Sequence, residues 1–158
     1  MPIEKNELRR VMGHFPTGVT VITTFSKAGV LHGLTANSFT SVSLVPPLVL
    51  VCVDNRAESK PCFEETKCFT VNFLAEEQED LSRRFATSGI KKFEGVSYRL
   101  GANQAPILNG VLAYMECKVV AAYDGGDHTI YLGEIEQAET REAKPLVFYR
   151  GGYRSLSE

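Results

Sequence analysis

The sequence predicts a mainly β protein, in which an antiparallel barrel carries a few short helices. Strand-like segments dominate the chain and adjoin one another, which is typical of antiparallel sheets and not of alternating β-α-β units. No G-x-G-x-x-G turn follows a strand, so a dinucleotide-binding Rossmann unit is not supported. A length of 158 residues fits one domain, which we place over residues 1–158.

The N-terminal segment predicts a helix followed by a β-hairpin. The helix is indicated by apolar side chains that recur at i, i+3, i+4 and i+7, namely Leu8, Val11, Met12 and Phe15. The stretch "FPTG" ends the helix, because proline and glycine interrupt it. Two runs rich in strand-forming residues, 19–25 and 30–39, flank a turn at Gly29 and predict the hairpin.

The middle of the chain predicts two more strands and two short helices. The run "LVLVCV", residues 48–53, is apolar throughout and predicts a strand buried on both faces. After it, Ser59 is a candidate N-cap for a short helix. "CFTVNFL" then predicts a strand, and "EEQEDLSRRFA" predicts a helix. Residues 88–110 carry turn formers and little periodicity, so we expect a long loop of the kind that often covers a functional site.

The C-terminal third predicts a long hairpin and a last strand. Every odd-numbered residue from Val111 to Tyr123 is apolar, which indicates a half-buried strand. The turn "DGGD" and the stretch "HTIYLGEIEQAE" predict its antiparallel partner, and "PLVFYRGGY" predicts a final strand. Neighbouring strands in sequence therefore pair with each other.

Composition and charge argue against several classes of partner. The net charge is −2, and the basic residues are spread along the chain, so we expect no nucleic-acid binding. No apolar run approaches the roughly 20 residues that cross a bilayer, and the charged N-terminus has no signal region, so we expect a cytoplasmic protein without membrane contact. The cysteines have no C-x-x-C spacing and predict reduced thiols and no metal site: Cys52, Cys62, Cys68 and Cys117.

The order of the motifs resembles the flavin reductase-like family, the small reductases that serve two-component monooxygenases. The segments that carry the resemblance are "FPTGVTVITT", "GLTANSFTSVSLVPPLVLVCVD", "FTVNFL" followed by "LSRRFA", "GGDHTIYLGEI" and "PLVFYRGGY". The resemblance implies an antiparallel Greek-key split β-barrel that binds FMN or FAD at a homodimer interface. It further implies hydride transfer from NADH or NADPH to the flavin, with electrons passing to a partner such as a monooxygenase.

The resemblance also implies which residues contact the flavin. A flavin ring edge alternates N–H and C=O groups, and small polar residues let backbone amides approach such an edge. Within "TANSFTS" the ring and ribityl chain would lie beside Thr35, Ala36, Asn37 and Ser38, with Ser41 reaching toward the phosphate. The remaining implied contacts are Cys52, Val53, Asn55 and Ser59 after the apolar strand, Arg84 and Phe85 over the phosphate, and His128 near the nicotinamide.

Each of these residues also has a purely structural interpretation. The hydroxyl and amide residues could form a polar edge strand and turn, Cys52 and Val53 could be core, and His128 could lie on the surface. Three other functions stay open. These are a pyridoxamine phosphate oxidase-like protein, although basic strand residues are scarce; a flavoredoxin-type electron carrier with little NAD(P)H turnover; and a barrel that binds no flavin and acts as an interaction domain.

Overall fold

The computed structural model describes residues 2–157 and is built mainly from antiparallel strands. The described residues form three α-helices, α1 (Lys5–Met12), α2 (Lys60–Thr66) and α3 (Glu79–Phe85), the last preceded by one 3₁₀ turn, Glu76–Gln78. The strands in chain order are β1 (Thr17–Gly18), β2 (Thr20–Phe25), β3 (Leu31–Ala36), β4 (Phe39–Leu44), β5 (Pro47–Asp54), β6 (Cys68–Phe73), β7 (Tyr98–Leu100), β8 (Pro106–Leu108), β9 (Ala113–Gly125), β10 (His128–Thr140), β11 (Val147–Tyr149) and β12 (Gly152–Arg154).

Seven of the strands form one antiparallel sheet in the order β3-β2-β6-β9-β10-β5-β4. The chain leaves the β2–β3 hairpin, builds β4 and β5 at the far edge, and returns with β6 beside β2, which is a Greek-key path. The two edges of the sheet are linked by only two residues, Asn37 and Ser38. The predicted antiparallel split barrel is thereby confirmed.

The barrel closes at one end and stays open at the other. Where β3 meets β4, the Cys52 amide donates to the Ser38 carbonyl at 3.1 Å, and the Ser38 hydroxyl donates to the Cys52 carbonyl at 2.8 Å. Beyond this junction β3 pairs only with β2, whereas the chain after β5 turns away toward α2. A cleft therefore separates β3 from the segment that follows β5.

Apolar side chains pack on both faces of β2. Ile22 belongs to the cluster inside the barrel, together with Phe69 and Tyr131. Its neighbour Val21 points to the opposite face, where α3 and β8 cover it through Phe85 and Ile107. Alternate side chains of a strand point to opposite faces, so both sets of β2 residues are buried.

β5 does not have this two-sided burial, and that prediction is wrong. Val49, Val51 and Val53 point into the barrel core, whereas the residues between them are only half-buried. The physical reason is that, within residues 2–157, no second layer covers the outer face of β5. An apolar run shows that both faces of a strand accept apolar residues. It does not by itself establish that another element covers each face.

The segment predicted as a long loop contains the β7–β8 hairpin. β8 is buried because side chains of the barrel bind its backbone: Asn72 accepts from the Leu108 amide at 2.9 Å, and the Thr23 hydroxyl donates to the Pro106 carbonyl at 2.5 Å. The sequence of this segment lacks the periodicity of a strand, and these long-range contacts are what stabilise the hairpin.

Three further predictions differ in detail. "TANSFTS" spans the end of β3 and the start of β4, a strand that was not predicted. Ser59 precedes α2 as expected, but its hydroxyl makes no capping bond. Glu116 is an even-numbered residue of β9, on the side opposite the predicted apolar face, and yet it is 2% exposed, because its carboxylate accepts a hydrogen bond from the Asn103 amide at 2.9 Å under the β7–β8 connection.

None of the helices within residues 2–157 combines the length and the hydropathy that crossing a bilayer would need.

Gly133 of β10 tests the packing inside the barrel. A Cβ at this position would lie 2.6 Å from Cζ of Phe69 and 3.1 Å from the Cβ of Cys117. We expect Gly133→Ala to lower the free energy of unfolding by about 1–3 kcal/mol, because overpacking a close-packed core forces neighbours to move. Gly18→Ala is the control, since no atom lies within 4 Å of the added Cβ. Urea unfolding of both variants measures the difference, and equal stabilities would contradict this packing.

Candidate functional site

The cleft between β3 and the chain after β5 has a volume of about 1020 Å³. Helix α3 and the loop that follows it form the third wall. The lining residues are 30–35, Asp54, 56–59, Phe85, Ala86, Ser88 and 90–94. This volume lies at the upper end of the range of about 300–1,000 Å³ that is typical of small-molecule and cofactor sites.

One wall of the cleft is the free edge of a β-strand. β3 pairs with β2 on one side only, and the Gly33 carbonyl points away from β2, since it accepts from Nζ of Lys92 at 3.0 Å. Backbone groups alternate in direction along a strand, so Thr35 presents its N–H and C=O to the same side. An edge with alternating donors and acceptors complements a planar ring that carries the same groups.

Glycine at position 33 follows from the close approach of α3. A Cβ there would lie 2.8 Å from the ring of Phe85, which is fully buried and packs edge-to-face on Phe93 at 5.0 Å between centroids. The Thr35 hydroxyl donates to the Ser82 carbonyl of α3 at 2.6 Å. These contacts fix the helix against the β3 wall.

Five of the predicted flavin contacts cluster at the closed end of the cleft. Ser38 and Cys52 form the junction itself, and Ala36 and Val53 are buried beside it. The Ala36 carbonyl accepts from the Thr20 hydroxyl at 2.5 Å, whereas Asn37 is exposed at the link between the strands. Residues 36–38 and residues 52–53 are at least 14 positions apart in the chain, and they meet where the barrel closes.

Ser59 is the lining residue with an unmet hydrogen-bonding need. It is 3% exposed, and its hydroxyl has no hydrogen-bond partner within the described chain. Buried polar groups in folded proteins are nearly always paired, and leaving one unpaired costs free energy. A hydrogen-bonding group of a bound molecule in the cleft would satisfy this hydroxyl.

Arg84 has partners other than the predicted phosphate. Its guanidinium donates to three backbone carbonyls of the following loop: Lys92 at 2.6 Å, and Lys91 and Glu94 at 2.8 Å each. Arg84 therefore holds the loop in place over the cleft. Its contact with a phosphate stays a prediction, and in this structure two of its three nitrogen atoms are already engaged.

The rim of the cleft is charged. Arg56 forms a bidentate pair with Asp54, with distances of 3.2 and 3.0 Å. Hydrogen bonds from Arg56 lower the pKa of the Asp54 carboxyl to about 2. This pair is thus internally neutral at physiological pH.

Asn55 and His128 lie on the side of this rim where the β9–β10 hairpin turns. Asn55 donates to the Gly126 carbonyl at 3.2 Å and accepts from the Thr129 hydroxyl at 2.7 Å, which ties the end of β5 to the hairpin. His128 is paired with Asp54 in the sheet register, and its Nδ1 lies 2.6 Å from the Asp127 carboxylate. Both predicted residues therefore flank the cleft without lining it.

The structure does not bring Ser41 to the cleft. It lies on β4 opposite Val49 and is exposed on the far side of the closed junction. Of the predicted residues, three line the cleft directly, namely Thr35, Ser59 and Phe85.

The sequence did not identify most of the lining residues, and two of those it missed, Lys92 and Glu58, make hydrogen bonds that hold the walls of the cleft. Lys92 is half-buried, and its ammonium donates to the carbonyls of Gly33 and Phe85 at 3.0 and 2.9 Å. Glu58 accepts from the Gly89 amide at 3.3 Å across the cleft mouth. No motif or periodicity marks either residue. In the sequence, a charged residue in an irregular loop cannot be told apart from one that is simply exposed to solvent.

Comparison with known proteins agrees with this architecture. The chain matches the family model described as flavin reductase like domain over residues 12–157. It is 42% identical over 156 residues to the NADH-dependent FAD reductase of Streptomyces globisporus, with 96% of this chain and 85% of the relative covered. It is 41% identical over 155 residues to the flavin-dependent monooxygenase reductase subunit HsaB of Rhodococcus jostii, with coverages of 98% and 79%.

A solved structure agrees at the level of the backbone. The NADH:FAD oxidoreductase of Streptomyces globisporus C-1027, in complex with NAD and FAD fragments, superposes with a TM-score of 0.93 at 41% identity, and the match covers 98% of this chain and 93% of that one. Sequence and backbone thus agree over almost the whole length, and the chain belongs to the flavin reductase-like family.

Proposed function

We propose that the protein is an NAD(P)H:flavin oxidoreductase, which transfers a hydride from NADH or NADPH to FMN or FAD held in the cleft. The reduced flavin, or its electrons, passes to a partner such as a flavin-dependent monooxygenase. The observation that carries this proposal is the unpartnered, buried Ser59 hydroxyl in a cleft of about 1020 Å³ with a free strand edge. Relatives named as NADH-dependent FAD reductase and as monooxygenase reductase subunit support it.

The residues of the cleft fit a flavin. The free edge of β3 can donate to and accept from the polar edge of the ring. Thr35 and Ser59 line the cleft and would hold the flavin, with the Ser59 hydroxyl available to bond a polar group of its side chain. Hydroxyls and backbone groups at fixed positions provide orientation, as is usual for cofactor sites.

The flavin, when bound, supplies the hydride-accepting chemistry, and the chain supplies geometry. Hydride transfer requires donor and acceptor atoms held about 3–3.5 Å apart. β3 and α3 form a rigid wall through the Thr35–Ser82 bond, while Arg84 holds the loop that excludes water from one side. We assign His128 the positioning of the nicotinamide nucleotide, because it lies next to Asp54 at the cleft rim.

We also propose that the protein acts as a single domain and pairs with a second copy of itself. Leu44 and Val45 at the end of β4 are 91% and 92% exposed. The apolar side chains of α1 are also exposed among residues 2–157, with Leu8 at 46%, Val11 at 51% and Met12 at 59%. Clustered apolar side chains in water are typical of an interface, and an uncovered edge strand such as β4 is prone to association. A partner copy would also cover the outer face of β5.

Spectroscopy and turnover together test the proposed activity. The purified protein is titrated with FMN and with FAD, and the oxidation of NADH and of NADPH is then followed with flavin in excess. We expect saturable flavin binding and flavin-dependent oxidation of at least one nicotinamide nucleotide. Binding without oxidation would favour the flavoredoxin-type carrier. A folded preparation that binds neither flavin would leave the interaction domain and contradict the proposal.

Ser59→Ala separates a ligand contact from a structural role. Removing a buried hydroxyl without a partner should leave the apo protein as stable or up to about 1 kcal/mol more stable, while flavin binding weakens about 5- to 10-fold. Ser82→Ala is the matched control, because the buried Ser82 hydroxyl does have a partner, the Tyr153 hydroxyl at 2.6 Å. The control should lose about 1 kcal/mol of stability. Chemical denaturation and fluorescence titration measure both quantities, and unchanged flavin affinity in Ser59→Ala would count against this contact.

Leu44→Asp tests the proposed pairing of two copies. A charge in the centre of an apolar interface lacks a partner when it is buried. We therefore expect the dissociation constant of the dimer to rise at least about 10-fold. Leu100→Asp, at a similarly apolar but separate exposed position on β7, is the control. Sedimentation equilibrium measures the assembly, and a monomeric wild-type protein would refute the pairing.

A further inference from the structure

Two lysines of the cleft, Lys91 and Lys92, contact no carboxylate among residues 2–157, and Lys92 is the half-buried one of the two. Arg56 is neutralised by Asp54 through two side-chain bonds. Lys92, in contrast, has no carboxylate within ion-pair distance among residues 2–157, and both of its hydrogen-bond acceptors are neutral carbonyls, those of Gly33 and Phe85. The Lys92 charge therefore stays uncompensated by direct contact.

The position of Lys92 makes that charge available to a ligand. Its ammonium sits between the free edge of β3 and the end of α3, and both of these elements line the cleft. An ammonium carries three donors, and the two carbonyls use two of them. Partial burial lowers the pKa of Lys92, an effect that the negative charge of Glu58 opposes. A half-buried cation in this situation gains from an anion more than an exposed one does, since solvent screens it less.

Glu58 is the negative group that already acts on this cation. It lies on the opposite wall, in the segment after β5, and reaches across the mouth to the Gly89 amide at 3.3 Å. Its carboxylate is not in direct contact with Lys92 and is exposed, so a ligand can displace it. The neighbouring Ser59 hydroxyl lacks any partner and lines the same cleft.

We infer that Lys92 is the cation that binds the phosphate of a nucleotide in the cleft, and that Glu58 is the resident negative charge that this phosphate displaces. The inference rests on the proposed function, in which flavin and nicotinamide nucleotides occupy the cleft. The ligand class is a phosphate monoester or a pyrophosphate, whose oxygens accept charge-assisted hydrogen bonds. Lys92 also positions the site, because its two other bonds join β3 to α3.

Affinities for FMN and riboflavin test the inference, because the two molecules differ only by the phosphate. Lys92→Met should weaken FMN binding about 10- to 100-fold and change riboflavin binding less than about 3-fold, and Lys92→Arg should restore most of the loss. Glu58→Gln should act in the opposite direction and tighten FMN binding by about 2- to 5-fold, with riboflavin unaffected. Rising salt should weaken FMN binding to the wild-type protein more than to Lys92→Met.

Lys118→Met is the control, because Lys118 is an exposed lysine on β9 that does not line the cleft. It should change both affinities less than about 2-fold. Equal losses of FMN and riboflavin in Lys92→Met would show a purely structural role and overturn the inference. So would a Glu58→Gln variant that weakens FMN.

Inorganic pyrophosphate provides a measurement that does not depend on flavin. Calorimetry should detect pyrophosphate binding to the wild-type protein and its loss in Lys92→Met. Equal binding in both proteins, or none in the wild type, would overturn the inference. If the wild-type protein binds neither flavin, the proposed function fails while pyrophosphate still decides the role of Lys92. If it prefers FMN to riboflavin and Lys92→Met keeps that preference, the function stands and the assignment of Lys92 falls.

Discussion

The two-residue link between the edge strands β3 and β4 decides where the barrel closes, and the two hydrogen bonds between Ser38 and Cys52 hold this link on β5. Because only two residues link β3 to β4, the two edges of the sheet meet at this point and cannot separate there. Beyond it, no strand in the part of the chain that the structure describes pairs with the free side of β3, and the chain after β5 continues into α2. A cleft with one closed end and one backbone edge is the necessary result. The residues that the family resemblance selects surround this junction, although they are far apart in sequence.

The cleft is also where local free-energy costs accumulate. Ser59 buries a hydroxyl without a partner, and Lys92 holds a charge against two neutral carbonyls. In contrast, the buried side chains of Asn72 and Thr23 are hydrogen-bonded to each other and to the backbone, and they bind β8 to the barrel. Two unmet polar groups on one concave surface favour a ligand that completes them, whereas the other unpartnered buried hydroxyl of the described residues, that of Thr17, does not line the cleft. Arg84 differs from both, since the loop itself satisfies its guanidinium.

Sequence patterns succeeded where burial alternates along one element and failed where distant segments decide burial. The long β9–β10 hairpin and the β2–β3 hairpin follow from periodicity and turn residues. β4 was missed because its polar residues resemble a turn, and it is a strand because β5 pairs with it. The two-sided burial expected for β5 was wrong, since its outer face has no covering layer in the described part of this chain. Glu116 is buried through a contact with Asn103 that local pattern cannot reveal.

The sequence by itself determined the mainly β class, the approximate strands and helices, and the segments that surround the cleft, because periodicity, turn chemistry and motif order are local properties of a chain. Only the tertiary structure decided which members of those segments face the cleft. It directed Arg84 to the loop, left Ser59 without a partner, and placed Lys92 and Glu58 on opposite walls. These outcomes depend on which loops meet when the barrel closes, and hydrogen bonds between residues far apart in sequence leave no periodic trace in the chain.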